Sequence, residues 1–320
     1  MRRVLVSAAV VLLLVPSAGA RRSAPATAIF YYPWYGTAAR DGAFLQWRQN
    51  GHAPPADIAS DFYPARGVYS SADATVLDAQ MAEIAQAGVG EIVSSWWGRG
   101  STEDRRLPAV LAAAHAHGLG VAVHLEPYGG RTIASIASDI AHLRSLGVSD
   151  FFVYHATDFP AADWSALNAT LDGVRLFAQT KLVGFAQAGG FDGVYTYDIL
   201  TSSGSSFRLL CSEAHRVGLL CAPSVGPGYR AGRATGDRRV KQRRNGATYD
   251  AMWSAALRAG PDLVTITSYN EWLEGTQIEP ARTRTGYESY TDAWGTRGAD
   301  ASTAYLARTG YWTSRLAERR

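Results

Sequence analysis

Short apolar runs alternate along this chain with segments in which apolar positions recur every three to four residues, from residue 28 to residue 268. The runs predict strands over Ala28–Tyr32, Glu91–Ser95, Gly120–Leu125, Phe151–Tyr154, Leu182–Phe185, Gly193–Tyr197, Leu219–Pro223 and Leu263–Ser268. Between them the periodic segments predict helices over Ala72–Ala87, Arg105–His117, Ile133–Leu146, Trp164–Leu171, Phe207–Val217 and Tyr249–Ala259. Glycine follows several of these helices, at Gly88, Gly118, Gly147, Gly218 and Gly260, where it serves as a C-terminal stop. Helix, glycine and hydrophobic strand, repeated about eight times, predict an α/β fold of the (β/α)8 barrel type. A doubly wound open sheet is the competing arrangement, but it needs a glycine-rich phosphate turn after its first strand. Pro33-Trp34-Tyr35 stands there instead. The links Asp41–Tyr69 and Gly226–Thr248 are long, and are expected to be active-site loops or disordered excursions.

With 320 residues, 47% hydrophobic and 18% charged, the chain is long enough for one large domain with a full core. Met1-Arg-Arg, the apolar run Val4–Val15 and Ala18-Gly19-Ala20 have the order of a secretory signal peptide cleaved after Ala20. That leaves a single catalytic domain over residues 21–320 and predicts a secreted, extracellular protein. The apolar run is shorter than the ~20 residues a membrane span needs, so no stable membrane association is expected after cleavage. Loss of Arg2 and Arg3 lowers the net charge from +3 to +1, which gives no general reason to expect nucleic acid as a partner. Seven basic residues between Arg230 and Arg244 face one acid, Asp237, and suggest a solvated loop rather than an anion-binding patch. Cys211 and Cys221 fit a disulfide and two buried thiols equally well. Asn168-Ala-Thr170 matches the glycosylation pattern, a short and frequent one.

The chemistry concentrates after the strands. Thr265-Ile-Thr-Ser-Tyr-Asn-Glu271-Trp-Leu-Glu274 runs from an apolar strand into a loop bearing two carboxylates three residues apart. Attack on a sugar acetal needs one carboxyl that holds a proton for the departing oxygen and a second that is ionised. In a barrel the strand C-termini share one face. Tyr32, Trp34, Tyr35, Trp96, Trp97, His124, Glu126, Tyr128, Tyr154, His155, Tyr195, Tyr197, Asp198, Tyr229, Asn270 and Trp272 are expected to gather there with Glu271 and Glu274. Aromatic faces stack on sugar C–H faces, and carboxylates bind hydroxyls. His124 and Glu126 would share a strand face, but no further ligands stand at metal-site spacing. No G-x-S-x-G element supports a serine triad, and no phosphate-loop lysine is present.

The segments Tyr31-Tyr-Pro-Trp-Tyr-Gly36, Ser95-Trp-Trp-Gly98, His124-Leu-Glu-Pro-Tyr128, Gly190-Phe-Asp-Gly-Val-Tyr-Thr-Tyr197, Pro223-Ser-Val-Gly-Pro-Gly-Tyr229 and Thr267-Ser-Tyr-Asn-Glu-Trp-Leu-Glu-Gly-Thr-Gln-Ile-Glu279 resemble, in order, glycoside hydrolase family 99. That is the family of endo-α-1,2-mannosidases and endo-α-1,2-mannanases. The resemblance covers roughly residues 28 to 281. It implies a retaining (β/α)8 enzyme without metal or cofactor that cuts inside an α-linked mannose glycan. In the mechanism it implies, a carboxylate deprotonates the sugar's own 2-hydroxyl, which attacks the anomeric carbon to give a 1,2-anhydro sugar. Glu271 then takes the 2-hydroxyl proton, and Glu274 is the general acid/base. Tyr32, Trp97, Glu126, Tyr229 and Asn270 are substrate contacts on the same grounds. Two carboxylates this close repel, so one should titrate high; the resemblance, not the residues, says which does which. Leu273 stands where the family commonly has His, a departure that bears on linkage or aglycone preference.

Two other functions fit the same residues. One keeps the barrel and uses double displacement by Glu126 and Glu271 on another glycan. The other is a catalytically silent glycan-binding protein, which would have no reason to keep both Glu271 and Glu274. The expected partner is an oligo- or polysaccharide, bound by a monomer. Tyr287–Arg320 should supply a closing helix.

Overall fold

The computed structural model describes residues 27–319; the expected leader Met1–Ala20 lies outside them. The strands are β1 (Thr27–Tyr31), β2 (Glu91–Trp96), β3 (Gly120–Leu125), β4 (Asp150–Val153), β5 (Arg175–Gln179), β6 (Gly193–Tyr195), β7 (Leu220–Ala222), β8 (Ser224–Val225), β9 (Tyr229–Arg230), β10 (Val240–Lys241) and β11 (Val264–Ile266). Nine are hydrogen-bonded in the order β7-β6-β5-β4-β3-β2-β1-β11-β8, and every pairing among them is parallel. Strands β7 and β8 are the two halves of one stave, separated by Pro223. Proline brings no N–H to a ladder, so the first half pairs with β6 and the second with β11. The result is a nearly closed eight-stave barrel. The remaining pair, β9 and β10, forms an antiparallel ribbon.

The helices are α1 (Ala38–Asp41), α2 (Ala74–Gln86), α3 (Thr102–Ala116), α4 (Ile133–Ser145), α5 (Ala161–Asn168), α6 (Val183–Ala188), α7 (Phe207–Arg216), α8 (Gly232–Thr235), α9 (Ala247–Ala259) and α10 (Gly298–Ala317). Local chemistry sets their ends. Ser101 caps α3 by accepting from the Asp104 amide at 3.0 Å, and Thr132 and Ser135 form a reciprocal capping box at α4. The five predicted glycine stops all take positive φ, between 64° and 94°, where a side chain would be strained. Helix α10 packs against α2 on the outside of the barrel. Cys211 on α7 and Cys221 on β7 are joined by a disulfide.

The strand predicted over Leu182–Phe185 is a correction. That stretch opens α6, and the fifth stave is Arg175–Gln179. Its apolar centre is only Leu176-Phe177-Ala178, and the charge beside it looks like a loop in sequence. In the barrel the Arg175 guanidinium pairs with Asp150 on β4, donating from Nε at 2.7 Å, so the charge is used at the barrel's foot. Inside the barrel Phe30, Phe152 and Phe177 pack with Tyr195; the Phe152 and Phe177 rings are parallel with centroids 4.7 Å apart. The long links are built structure, not excursions. Residues 41–69 bury Trp47, Ile58, Phe62, Tyr63 and Tyr69, and residues 226–248 contain the β9–β10 ribbon and α8.

The basic stretch is likewise not a purely solvated loop. Arg233 pairs with Asp57, donates to the Ile58 carbonyl at 3.1 Å and lies over the Tyr287 ring.

Glu91 is buried at the foot of β2, facing the charges of Asp150 and Arg175, and burial pushes its carboxyl up to about 8. An acid whose folded value exceeds its unfolded value of 4.5 removes stability as pH rises between the two, because the unfolded chain ionises first. Glu91→Gln should therefore unfold at a higher temperature than the wild type at pH 8. The gain, on the order of a few kcal/mol at most, should vanish near pH 4.5. Thermal unfolding followed across that window checks it.

Candidate active site

The loop after β11 carries the two carboxylates and folds through its own backbone bonds. The Glu271 amide donates to Ser268 Oγ at 2.9 Å, and Glu271 Oε1 accepts from the Leu273 amide at 3.0 Å. The Glu274 carbonyl accepts from the Arg230 amide at 2.8 Å. Glu271 is buried, whereas Glu274 is half-buried and lines an open pocket with Tyr154, Tyr197, Asp198, Tyr229 and Arg239.

Both carboxyls titrate above the ordinary carboxylate range. For Glu271 burial is the main cause, followed by repulsion from Glu274. Glu274 is pushed up to about 7, by burial first and then by the charges of Asp198 and Glu126. A buried pair of this kind holds one proton near neutrality and titrates as a unit. The Leu273 N–H favours the anion at Glu271. Glu274 meets the phenol of Tyr197, which donates to it at 3.5 Å, and Tyr197 in turn bonds Tyr32 hydroxyl to hydroxyl.

Glu126 sits at the end of β3, buried, with Oε1 accepting from Ser95 Oγ at 2.8 Å and facing His124 Nδ1 at 2.9 Å. His124 Nε2 meets the Tyr195 hydroxyl at 2.8 Å, so the histidine is engaged at both ring nitrogens. Among the described residues no group of three or more His, Cys, Asp or Glu is placed to hold a metal ion.

An aromatic row leads outward from this centre. The Tyr32 and Trp34 rings lie 4.8 Å apart, and Trp34 and Trp97 stack at 6.5 Å. Trp97 is 38% exposed and presents an open face at the rim. Tyr229 closes another side, its hydroxyl donating to Asp237, which is paired in turn with Arg239. Leu273 packs with Ala59 and Ala234 beside Trp34, an apolar wall next to the carboxylates.

Several residues expected on this face lie elsewhere. Trp96 faces outward, donating from Nε1 to Asp104 on α3, and Tyr128 reaches Ser135 and Asp139 on α4. Side chains alternate along a strand, so of Trp96 and Trp97 only one can face the cleft. Tyr35 and Trp272 are fully buried. Tyr35 donates to the Asn270 carbonyl at 2.9 Å, while Trp272 Nε1 donates to Glu279 at 2.7 Å, so Trp272 is a prop beneath the loop rather than a platform.

Asn270 is a correction of the same kind. It is wholly enclosed, with Oδ1 accepting from the Tyr32 amide at 2.7 Å and Nδ2 donating to the Tyr32 carbonyl and the Tyr69 hydroxyl. Its amide splices the end of β1 to the carboxylate loop rather than facing the cleft. Sequence reasoning missed the arginines that staple the rim. Arg106 donates to the carbonyls of Pro33 and Tyr35, and Arg131 to those of Leu125 and Tyr154. Nothing in their local sequence distinguishes them from surface arginines.

Removing the splice should be expensive. Asn270→Ala leaves a buried N–H and C=O unpaired and should cost about 2–4 kcal/mol in urea unfolding, whereas Trp97→Ala should stay within about 0.5 kcal/mol of the parent.

The Glycosyl hydrolase family 99 profile matches residues 24–318. The chain is 34% identical over 312 residues to a Glycoprotein endo-alpha-1,2-mannosidase-like protein of Danio rerio, covering 79% of this chain and 70% of that protein. It is 30% identical over 349 residues to the Glycoprotein endo-alpha-1,2-mannosidase of Mus musculus, covering 91% and 75%. The GH99 endo-alpha-mannosidase of Bacteroides thetaiotaomicron superposes with a TM-score of 0.82 at 28% identity, covering 92% of this chain and 98% of that one. With the barrel and the paired carboxylates already in place, these matches make the chain a glycoside hydrolase that belongs to family 99.

Proposed function

We propose that this protein is a secreted, retaining, endo-acting glycosidase that hydrolyses internal α-1,2-mannosidic linkages of mannose-containing glycans, with Glu271 and Glu274 as its catalytic pair. The observation that carries the reading is the carboxylate pair on the β11 loop, one member buried and the other facing the pocket beside Tyr154, Tyr197 and Tyr229. The endo-α-mannosidase relatives supply the substrate class. Export rests on the Met1–Ala20 pattern and is checked by finding the mature N-terminus in culture medium.

The chemistry runs in two steps. Glu271 takes the proton of the 2-hydroxyl as O2 attacks C1 from the face opposite the leaving group. The C1–O bond to the remaining glycan breaks, and that oxygen takes the proton of Glu274. Glu274, now ionised, accepts a proton from water as the water attacks C1, the C1–O2 bond opens, and O2 recovers its proton from Glu271. Two inversions at C1 give retention. Tyr32, Trp97, Glu126 and Tyr229 are the proposed sugar contacts, and Trp97 offers the exposed ring for stacking. A double displacement through Glu126 and Glu271 would leave a trappable glycosyl ester, which this route does not form.

Incubation with yeast α-mannan, read by mass spectrometry, should release disaccharide or longer products with retained configuration. Glu271→Gln and Glu274→Gln should each lose about 10²–10⁴ in rate, the range for a positioned acid or base. No release by folded wild-type protein would sink the mannosidase assignment. Activity should also be bell-shaped in pH. Both limbs belong to the pair: full ionisation at high pH removes the proton that the leaving oxygen needs, and full protonation at low pH removes the base. An alkaline limb that persists in Glu274→Gln would contradict the assignment of the acid.

A further inference from the structure

We infer that Arg243, on the long link between β8 and α9, is a positioning residue for Glu274, acting through the two carbonyls that follow it in the chain. The inference rests on Glu274 being the acid/base of the proposed reaction. Arg243 Nη2 donates to the Gly275 carbonyl at 2.9 Å and to the Gln277 carbonyl at 2.7 Å. These are the first and third residues after Glu274. Its Nε and Nη1 are buried without hydrogen-bond partners. They are not bare, because the guanidinium carbon lies 4.6 Å from the Phe62 ring centroid, 4.8 Å from Tyr290 and 4.6 Å from Tyr305. A guanidinium among three rings is held by cation–π attraction, which strengthens where water is excluded.

The cage is assembled from distant parts of the chain. Phe62 comes from the link after β1, Tyr290 from the segment before α10, and Tyr305 from α10 itself. Tyr290 adds a second grip on the same turn, donating from its hydroxyl to the carbonyls of Gln277 and Glu279. From the other side the Arg230 amide holds the Glu274 carbonyl. Gly275 has φ +63°, and a Cβ there would lie 2.6 Å from the Arg230 carbonyl oxygen, so the turn has no room to shift toward the ribbon. Glu274 thus projects from a turn clamped at its own carbonyl and at the next and third-next carbonyls.

The cavity beside this cage, lined by Arg230, Lys241, Arg243 and Arg244 with Glu288, has the charge of an anion site. Its cations are largely in use already. Arg230 pairs with Glu288, Lys241 Nζ donates to the Ile199 carbonyl at 2.6 Å, and Arg243 is caged. The positive charge therefore serves the architecture of the catalytic turn. Lysine cannot replace Arg243 there, because a compact, strongly hydrated ammonium neither spreads over three rings nor offers a planar fork.

The test compares wild type, Arg243→Ala, Arg243→Lys and Glu274→Gln on α-mannan oligosaccharides, with thermal unfolding and amide hydrogen exchange across residues 271–279. Arg243→Ala should lose about tenfold or more in kcat with KM changed less than about threefold. Exchange across 271–279 should rise, and guanidinium ion at non-denaturing concentration should restore part of the rate where methylammonium does not. Arg243→Lys should resemble the alanine variant, and it decides the matter if the alanine variant does not fold. A folded variant whose kcat stays within about twofold, or whose loss comes with unchanged exchange and no guanidinium rescue, overturns the inference. Wild-type protein without turnover would instead overturn the functional assignment, and exchange across 271–279 would still decide whether Arg243 orders the turn.

Discussion

Glu279 is enclosed without any exposure, and the four donors around it come from three separate stretches of chain. Arg66 Nε donates at 2.8 Å, Gln80 Nε2 at 2.8 Å, the Tyr69 hydroxyl at 2.7 Å and Trp272 Nε1 at 2.7 Å. Burial lifts this carboxyl, and the Arg66 guanidinium pulls it back. A carboxyl taken this far from water is tolerable only when its lone pairs are met. Satisfying it fixes the link after β1, helix α2 and the loop after β11 relative to one another. Gln80 extends the network to Tyr31 at the end of β1.

The carboxylate pair Glu271 and Glu274 inherits its geometry from that knot. Trp272 lies between Glu271 and Glu274 in sequence, and its ring is held beneath them by Glu279 and Tyr69. Asn270, one residue earlier, grips the Tyr32 backbone at both its N–H and its C=O. The loop is therefore anchored immediately before and between the two carboxylates, which leaves the acids themselves little freedom. For the proposed reaction, which uses the two acids in opposite protonation states, such preorganisation avoids relaxation when a substrate arrives.

Around this rigid floor the long links supply the walls. The segment between β1 and α2 contributes Ala59 to the apolar wall under Trp34, and the segment between β8 and α9 brings Tyr229, Asp237 and Arg239 over the pocket. Arg233 ties the two together by pairing with Asp57 and donating to the Ile58 carbonyl, and the β9–β10 pairing braces the second. A guanidinium reaches several carbonyls at once and stays charged when half-buried, which suits the irregular backbone of a barrel rim.

How much of this was legible in sequence follows from the range of the forces involved. Strand and helix periodicity, the glycine stops and the ordered motifs are local, and they predicted the barrel, the family and the two carboxylates on the β11 loop. The missed stave Arg175–Gln179 is short and flanked by a charge whose partner, Asp150, lies 25 residues away in sequence. Local pattern cannot register such a partner. The division of the aromatics is also tertiary. Trp97 is open at the rim while Trp96, Tyr35 and Trp272 are props, because strand alternation and the polar atoms each ring must satisfy decide which way it turns. For the same reason Asn270 became a splice, and the Glu279 knot and the Arg243 cage appear only once residues from opposite ends of the chain meet. The sequence by itself determined most of the elements, their order and the two carboxylates on the β11 loop. Only the tertiary structure decided which side chains are open at the barrel rim and which hold the others in place, since buried polar groups choose partners by proximity in space.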